Sequence, residues 1–315
     1  MLDRKLFLKQ VALAGAGIGL IGLKPVMSYS RTPGMKMITI MHTNDTHARI
    51  DPFPRGSGRF EELGGAARRM ALIRKIREES PFNLLLDAGD TFQGTPYFNY
   101  YKGALDFKLM SMMGYDASTI GNHEFDNGVD GFVEVAPNAT FPFVSSNYDF
   151  RGAPSMGRFV KEEMVKFVNG VKVGIFGLGV NFQNLVLPHL HQGVIYYDPV
   201  LVARQMVRRL RQEQKCDLVI CLSHIGYTYN DPNRVSDTVV ANQVDGIDLI
   251  IGGHTHTLLD EPVIVEKTGK SPTMISQVGH AGVVLGRIDF EFDKTNRLRR
   301  AWTANQRIDS QYDKA

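Results

Sequence analysis

The chain has 315 residues, of which 43% are hydrophobic and 22% are charged, and this composition is typical of a globular protein with a substantial core. The net charge of +3 is too small to indicate a nucleic-acid-binding protein, because the basic clusters are scattered as on solvated faces. The length allows one large domain or two small ones.

The N-terminus has the pattern of an export signal. The basic segment RKLFLK at residues 4–9 precedes an apolar run at residues 11–23, which is too short to cross a bilayer comfortably as a permanent helix. The order of residues resembles a twin-arginine signal with Lys5 in place of the second arginine, so twin-arginine export, general secretion and a retained anchor all stay open. We predict an export signal or N-terminal anchor at residues 1–30 and an exported, periplasmic or extracytoplasmic protein; a buried first helix is the alternative.

From residue 37 onward, strand patterns alternate with helix patterns. The near-continuous apolar strands of the first half belong in a sheet buried on both faces, so we predict an α/β fold with one two-layered core. After residue 257 the chain turns to strands that we interpret as antiparallel. The periodicity predicts strands at 37–45, 83–90, 116–124, 142–148 and 217–226, helices at 64–79, 104–114 and 199–214, and a hairpin at 164–179 with Asn169-Gly170 as its turn.

The two cysteines flank the predicted strand segment DLVI. Cys216 and Cys221 are five residues apart, and five residues of extended chain span about 16 Å, which exceeds the Cα separation of a disulfide. We therefore expect two free, buried thiols.

Five of the predicted strands end in polar side chains. In open α/β sheets, ligands bind at the carboxyl ends of the strands, so these groups are expected to collect in one crevice. In chain order, the side chains are Asp45 and His47, then Asp90, then Asn122, His123 and Glu124, then His224, and finally His254 and His256 at the end of a further strand in the segment 244–257.

The residue types at these strand ends indicate a metal site. Imidazole nitrogen, carboxylate oxygen and amide oxygen together suit zinc, manganese, iron or cobalt rather than calcium. One carboxylate that bridges two ions would complete two four-coordinate sites from seven side chains. The Asp-x-His and His-x-His spacings are interpreted as extended segments whose alternate side chains point the same way. The glycines before Asp90, Asn122 and His254 are expected to let the backbone turn tightly.

These motifs match a known family in order and spacing. HTNDTHARI, DAGDTFQGTPYFNYYKG, IGNHEFDNG, CLSHIG and GGHTHT resemble the calcineurin-like metallophosphoesterases, and within them the bacterial 5′-nucleotidase family. The resemblance covers about residues 36–300 and leaves residues 301–315 as a C-terminal tail. It implies the metallo-dependent phosphatase fold, a four-layer αββα sandwich with two mixed β-sheets.

The resemblance also implies the site. Two divalent metal ions per chain would be bound, one by Asp45, His47, Asp90 and His256 and the other by Asp90, Asn122, His224 and His254. A metal-activated hydroxide would attack phosphorus, with His123 as the catalytic histidine and Asp126 as the residue that orients it. Glu124 is expected to have a structural hydrogen-bonding role.

The sequence leaves the roles of four other histidines and one aromatic segment open. We predict that His42 belongs to the core or sheet surface and that His189 and His191 lie in a surface loop. The segment around His280 approaches the site in the family, so substrate contact is an alternative to a simple loop role. The aromatic segment at residues 91–103 is interpreted as core packing or as the rim of a substrate cleft.

No substrate-binding residue can be assigned from the sequence. Larger 5′-nucleotidases continue into a second domain that holds the nucleoside, and we expect that C-terminal substrate domain to be absent here. Either a separate chain supplies it or the enzyme takes another small phosphoester. The leading expectation is a 5′-nucleotidase-type hydrolase. The alternatives are the same fold acting on cyclic nucleotides, nucleotide-sugar diphosphates or a sulfur-linked ester, and a non-catalytic metal-binding subunit of a complex.

Overall fold

Two mixed β-sheets pack face to face at the centre of the fold. The structure is a computed structural model that describes residues 34–231 and 233–313, so the signal or anchor predicted at residues 1–30 lies outside the described residues. The strands are β1 Lys36–Thr43, β2 Asn83–Asp87, β3 Ala117–Ser118, β4 Phe143–Val144, β5 Tyr148–Asp149, β6 Val160–Lys161, β7 Glu163–Val168, β8 Val171–Gly179, β9 Ile195–Tyr196, β10 Leu218–His224, β11 Leu249–Gly252, β12 Val263–Val265, β13 Thr273–Ser276, β14 Val284–Phe292, β15 Leu298–Thr303 and β16 Gln306–Arg307.

Helices cover the outer faces of both sheets. Helix α3 ends where Gly114 adopts a left-handed backbone with φ 71°, and α6 begins where the Asp198 carboxylate accepts the amide of Leu201 at 2.9 Å. The helices are α1 Ala66–Glu79, α2 Pro96–Tyr101, α3 Ala104–Met113, α4 Gly128–Val135, α5 Pro154–Gly157, α6 Pro199–Arg208 and α7 Asp237–Gln243.

The first sheet has the strand order β15-β14-β1-β2-β3-β4-β6, and β16 also pairs with β14. Strands β1 through β4 and β6 are parallel to one another, whereas β14 is antiparallel to both β1 and β15. The boundary predicted at residue 300 falls inside β15. The first sheet is therefore mixed and includes part of the segment predicted as a tail.

The second sheet has the order β12-β13-β11-β10-β8-β7. Strands β8, β10, β11 and β13 are parallel, and β7 and β12 are antiparallel edge strands. The predicted hairpin is confirmed, because Val168 pairs with Val171 around Asn169 and Gly170, which both have positive φ. The prediction that the last quarter of the chain is entirely antiparallel is wrong. Strand β12 lies between β11 and β13 in the sequence and runs antiparallel to β13, so β13 pairs with β11 in parallel.

Three layers of buried side chains lie between the four layers of helices and sheets. Ile40 and Leu86 of the first sheet pack against Ile220 of the second sheet between the sheets. Other faces of the two sheets pack against the outer helices, with α1 and α3 on the first sheet and α6 and α7 on the second. The predicted αββα sandwich is thus confirmed.

The third predicted strand is much shorter than expected. The sequence predicts a strand at residues 116–124, whereas β3 covers only Ala117–Ser118 and is followed by bends and a 3₁₀ turn at His123–Phe125. The chain leaves the sheet here because the Gly121 amide donates to the Glu124 carboxylate at 2.6 Å, which closes a tight local turn. Asn122 and His123 consequently lie in a loop rather than on a strand.

Candidate metal centre and active site

The residues predicted at strand ends meet at one place, at the carboxyl edges of both sheets. Asp45 follows β1 and Asp90 follows β2 in the first sheet, whereas His224 ends β10 and His254 and His256 follow β11 in the second sheet. Two packed sheets therefore supply one set of ligand-type side chains, as expected for strands whose carboxyl ends face the same crevice.

The backbone at these residues is left-handed. The φ angles are 50° at Asp45, 49° at His47, 54° at Asp90, 71° at His254 and 52° at His256. A left-handed backbone costs a non-glycine residue about 1–2 kcal/mol, and such conformations concentrate at functional sites. The interpretation of these segments as extended is wrong, because the loops bring alternate side chains together by turning.

Glycines beside the ligand-type residues serve two different purposes. Gly89 has φ 84° and makes the turn before Asp90, as predicted. A Cβ at Gly121 would lie 2.2 Å from Asp90 Oδ1, and one at Gly253 would lie 2.8 Å from His224 Nδ1. These two glycines are therefore needed for close packing rather than for a positive φ.

One group of potential ligands consists of Asp45, His47 and His256, whose donor atoms all lie within 4.8 Å of one another. The Nε2 atoms of His47 and His256 are 2.9 Å apart, and Asp45 Oδ1 is 3.4 Å from His256 Nε2. His47 Nδ1 lies 2.9 Å from the carbonyl oxygen of Phe92, which can only accept a hydrogen bond. Nδ1 therefore carries the proton of the neutral ring, and the lone pair is on Nε2.

A second group consists of Asp90, His224 and His254. Asp90 Oδ2 lies 2.9 Å from His224 Nε2, and the Asn122 Oδ1 atom lies 2.9 Å from His254 Nδ1. Asp90 also groups with His47 and His123, so its carboxylate lies between the two ligand groups. That is the position a bridging carboxylate requires.

The chemistry of His224 fits a cation at this centre. Its Nδ1 donates to the Ala88 carbonyl at 2.6 Å, and its fully buried Nε2 has no partner in hydrogen-bonding geometry among the described residues. Burial lowers the pKa of His224, but the charge of Asp90 and its short contact with Nε2, together with the charge of Asp45 and the Ala88 carbonyl, outweigh burial and raise it to about 10. The space between Nε2 and these carboxylates thus favours a positive charge, which a metal ion would supply.

His123 and Asp126 form a pair at the edge of the centre. His123 Nδ1 lies 2.8 Å from Asp126 Oδ2, and the His123 ring meets the His47 ring edge-on at a centroid distance of 5.2 Å. Burial lowers the pKa of His123, but the hydrogen bond to Asp126 and the charges of Asp90, Asp126 and Glu124 raise it to about 9. Because Asp126 occupies Nδ1, the half-exposed ring presents Nε2 to a bound molecule.

Glu124 ties the loops of the centre together, which confirms its predicted structural role. Its buried carboxylate accepts the amides of Asp90 at 3.0 Å, Thr91 at 2.7 Å and Gly121 at 2.6 Å. The amide of His123 in turn donates to Asp90 Oδ1 at 2.9 Å. The loop after β2 and the loop after β3 are therefore fixed to each other on both sides of Asp90.

Three of the other histidines lie where the sequence predicts, and His280 lies at the centre. His42 is fully buried, His189 is exposed and His191 stacks on Phe182 in a surface loop. The His280 ring stacks on His256 at a centroid distance of 4.6 Å, so the alternative that brings its loop to the site is the one the geometry supports.

One cation at the centre was not expected from the sequence. Arg234 Nη2 lies 3.2 Å from His254 Nε2, and its guanidinium stacks over the Tyr229 ring at 3.6 Å. No local pattern distinguishes this arginine from the solvated basic residues elsewhere, because its contact joins the segment between β10 and α7 to the residues after β11.

Comparison with known proteins places this geometry in a family. Residues 38–258 match the family described as calcineurin-like phosphoesterase. The chain belongs to the calcineurin-like phosphoesterases. This family of phosphoester hydrolases has the mixed α/β fold seen here, and its members use divalent metals, in agreement with the two ligand groups.

Among the relatives of this phosphoesterase are nucleotide hydrolases. It is 37% identical to the trifunctional nucleotide phosphoesterase protein YfkN of Bacillus subtilis over 83% of this chain and 18% of that protein. It is 33% identical to a 5′-nucleotidase of Diplobatis ommata over 92% of this chain and 52% of the relative. The crystal structure of a 5′-nucleotidase precursor from Thermus thermophilus aligns with a TM-score of 0.79 at 31% identity, over 88% of this chain and 55% of that one. The phosphoesterase thus spans about half the length of these relatives, or less.

Among the described residues, no helix is long and apolar enough to span a membrane.

Proposed function

We propose that the chain is an exported phosphoester hydrolase of the 5′-nucleotidase type that works with two divalent metal ions. The observation that carries this proposal is the position of Asp90 between two groups of ligand-type side chains, with the His123–Asp126 pair beside them. A non-catalytic metal-binding subunit would have no use for that pair.

The two ligand groups divide the residues between two ions. Asp45, His47, Asp90 and His256 would hold the first, and the second would share Asp90. Zinc, manganese, iron and cobalt all suit this mixed nitrogen and oxygen set. When bound, such ions supply Lewis acidity, which activates water and neutralises phosphoryl charge. The remaining ligands of the second ion would be Asn122, His224 and His254.

The His123–Asp126 pair would act on the substrate. Asp126 accepts a hydrogen bond from His123 Nδ1 and thereby fixes the ring, and this hydrogen bond favours the protonated form of His123, in which Nε2 carries a proton. Nε2 can then donate to a phosphoryl oxygen or to the oxygen of the leaving group as charge develops there. A donor held in place by the protein needs no reorganisation during the reaction, which is the main source of stabilisation at such sites.

The substrate we propose is a nucleotide. Support comes from the relatives, which are described as 5′-nucleotidases and as a trifunctional nucleotide phosphoesterase. The latter description favours a second candidate function on other nucleotide phosphoesters, such as cyclic nucleotides. No observation favours a separate chain that supplies a substrate domain, and we do not propose one.

Export is supported by the basic and apolar pattern at residues 4–23 and by the description of the Thermus relative as a precursor.

Phosphate release by the purified chain, with manganese or zinc added, tests the proposal. The substrates would be 5′-AMP, a nucleotide-sugar, a 2′,3′-cyclic nucleotide and an aryl phosphate, with a His123→Ala variant as the control. Turnover of 5′-AMP that is lost in His123→Ala is the expected result. No turnover of any substrate by a chain that binds two ions would instead favour the non-catalytic subunit.

A further inference from the structure

A cleft of about 550 Å³ opens beside the metal centre. One wall is the segment Arg49–Asp51, which begins two residues after His47, and the other is helix α2 with Thr95, the residue that precedes it. Its volume falls in the range of small-molecule sites. None of the residues that line this cleft belongs to the two ligand groups.

Both walls of the cleft are anchored at the centre itself. His47 Nδ1 lies 2.9 Å from the Phe92 carbonyl, and the Thr95 hydroxyl donates to the Ala48 carbonyl at 2.7 Å. A Cβ at Gly94 would lie 2.8 Å from the His47 carbonyl oxygen, so the two segments pack in close contact. The cleft is therefore held next to the ligand groups through the segment around His47.

The wall formed by α2 carries a cluster of tyrosine rings. The rings of Tyr97 and Tyr101 are near-parallel at a centroid distance of 6.5 Å, and Tyr100 meets Tyr101 edge-on at 4.7 Å. The exposed fractions are 79% for Tyr100 and 43% for Tyr101, whereas Phe98 of the same helix is buried in the core. Clustered exposed aromatic rings beside a pocket favour contact with a planar, partly apolar ligand.

The wall formed by Arg49–Asp51 carries charged side chains. Arg49 stacks its guanidinium over the Phe53 ring at 4.1 Å, and its buried Nε has no hydrogen-bond partner in the described part of the chain. Across the cleft, the Asp51 carboxylate accepts the Tyr97 hydroxyl at 2.7 Å. This hydrogen bond joins the two walls of the cleft.

We propose that this cleft binds the nucleoside of a nucleotide whose phosphate lies at the metal centre, with the base on the tyrosine rings. This inference rests on the proposed function and gives the described part of the chain its own means of selecting nucleotides. Stacking of a base on an aromatic side chain changes affinity by about 5- to 100-fold.

A comparison of two matched substrates tests the nucleoside site. 5′-AMP and ribose 5-phosphate share the phosphoester and the sugar but differ in the base. In Tyr100→Ala, the ratio of kcat/KM for 5′-AMP to that for ribose 5-phosphate should fall about 5- to 100-fold. Phe167→Ala removes an aromatic ring that is 72% exposed on β7, outside the cleft, and should leave the ratio as in wild type. An unchanged ratio in Tyr100→Ala, or an equal loss for both substrates, overturns the proposal.

Binding of adenosine tests the same site without turnover. Equilibrium dialysis of adenosine against wild type, Tyr100→Ala and Phe167→Ala should show weaker binding only in Tyr100→Ala. If the chain releases no phosphate from any substrate but adenosine binding depends on Tyr100, the proposed function fails and the nucleoside site stands. Equal adenosine affinity in all three proteins, or no binding at all, overturns the nucleoside site whatever the activity.

Discussion

His123 Nδ1 lies 2.8 Å from Asp126 Oδ2, three residues further along the same turn. The short spacing means that the local sequence builds the pair, and the 3₁₀ turn at His123–Phe125 sets its geometry. The long-range contact is the His123 amide, which donates to Asp90 Oδ1 at 2.9 Å and holds the pair against the metal centre. The pair is thus positioned beside the ligand groups and held by one of their members.

Removal of the His123 imidazole should reduce kcat without reducing the amount of bound metal. We expect His123→Ala to lose about 10²- to 10⁴-fold in kcat, because a positioned proton donor contributes on that scale. Metal content, measured by mass spectrometry, should stay at the wild-type value. His189→Ala, which removes an exposed loop histidine, is the matched control. Wild-type kcat in His123→Ala would show that the pair has no catalytic role.

Removal of the shared carboxylate should empty both sites. Asp90 lies between the two ligand groups, so Asp90→Ala is expected to reduce the metal content from two ions per chain to near zero. The exposed Asp130→Asn change in α4 is the control and should retain the wild-type content. A variant lacking Asp90 that still holds two ions would contradict the bridging role.

Glu124 should stabilise the fold and the centre together. Its carboxylate accepts three backbone amides, and Glu124→Gln replaces one of its two acceptor oxygens with a donor. The free energy of unfolding should fall by about 1–3 kcal/mol, the usual range for leaving a buried group unsatisfied. Urea denaturation of Glu124→Gln and of the exposed Glu134→Gln control gives the measurement. Equal stability of the two variants would mean that Glu124 does not hold these loops together.

A buried carboxyl away from the centre predicts a pH effect on stability. Burial raises the pKa of Asp106 in α3 from 3.8 to about 7, although its own backbone amide and the charge of Arg69 oppose the shift. Above pH 3.8 the unfolded chain has released this proton while the folded chain still binds it, so stability falls as the pH rises toward 7. The loss over that window is roughly 4 kcal/mol.

Asp106→Asn should remove that loss. The decrease in the free energy of unfolding between about pH 5 and about pH 8 should be smaller in Asp106→Asn than in wild type by about 2–3 kcal/mol. Asp130→Asn, which changes an exposed carboxylate, should follow the wild-type curve. Identical curves for wild type and Asp106→Asn would mean that this carboxyl is not buried as described.

The sequence predicts the composition of the centre because the strand pattern determines where side chains collect. Buried strands before Asp45 and Asp90 are visible as apolar runs, and parallel strands must bring the residues at their carboxyl ends to one edge of the sheet. The hairpin turn at Asn169 is similarly local, since the residue types themselves favour a positive φ.

The conformation of the loops could not be predicted, because long-range hydrogen bonds set it. The His47 amide donates to the Asp90 carbonyl at 3.1 Å, and the His254 amide donates to the Asp45 carboxylate at 3.0 Å. These contacts join segments that lie far apart in sequence and force a left-handed backbone onto residues that would otherwise be extended. The approach of His280 to the centre depends on the same kind of contact, because the Ala281 amide donates to the Asp45 carbonyl at 2.6 Å.

The most direct measurement is a metal titration of the chelator-treated chain, in which bound metal and phosphate release from 5′-AMP are followed together. We expect phosphate release to rise with added manganese or zinc and to reach its plateau at two ions per chain. His123→Ala should bind the same two ions and release almost no phosphate. Full phosphate release without metal, or a plateau at one ion per chain, would contradict the two-metal centre around Asp90.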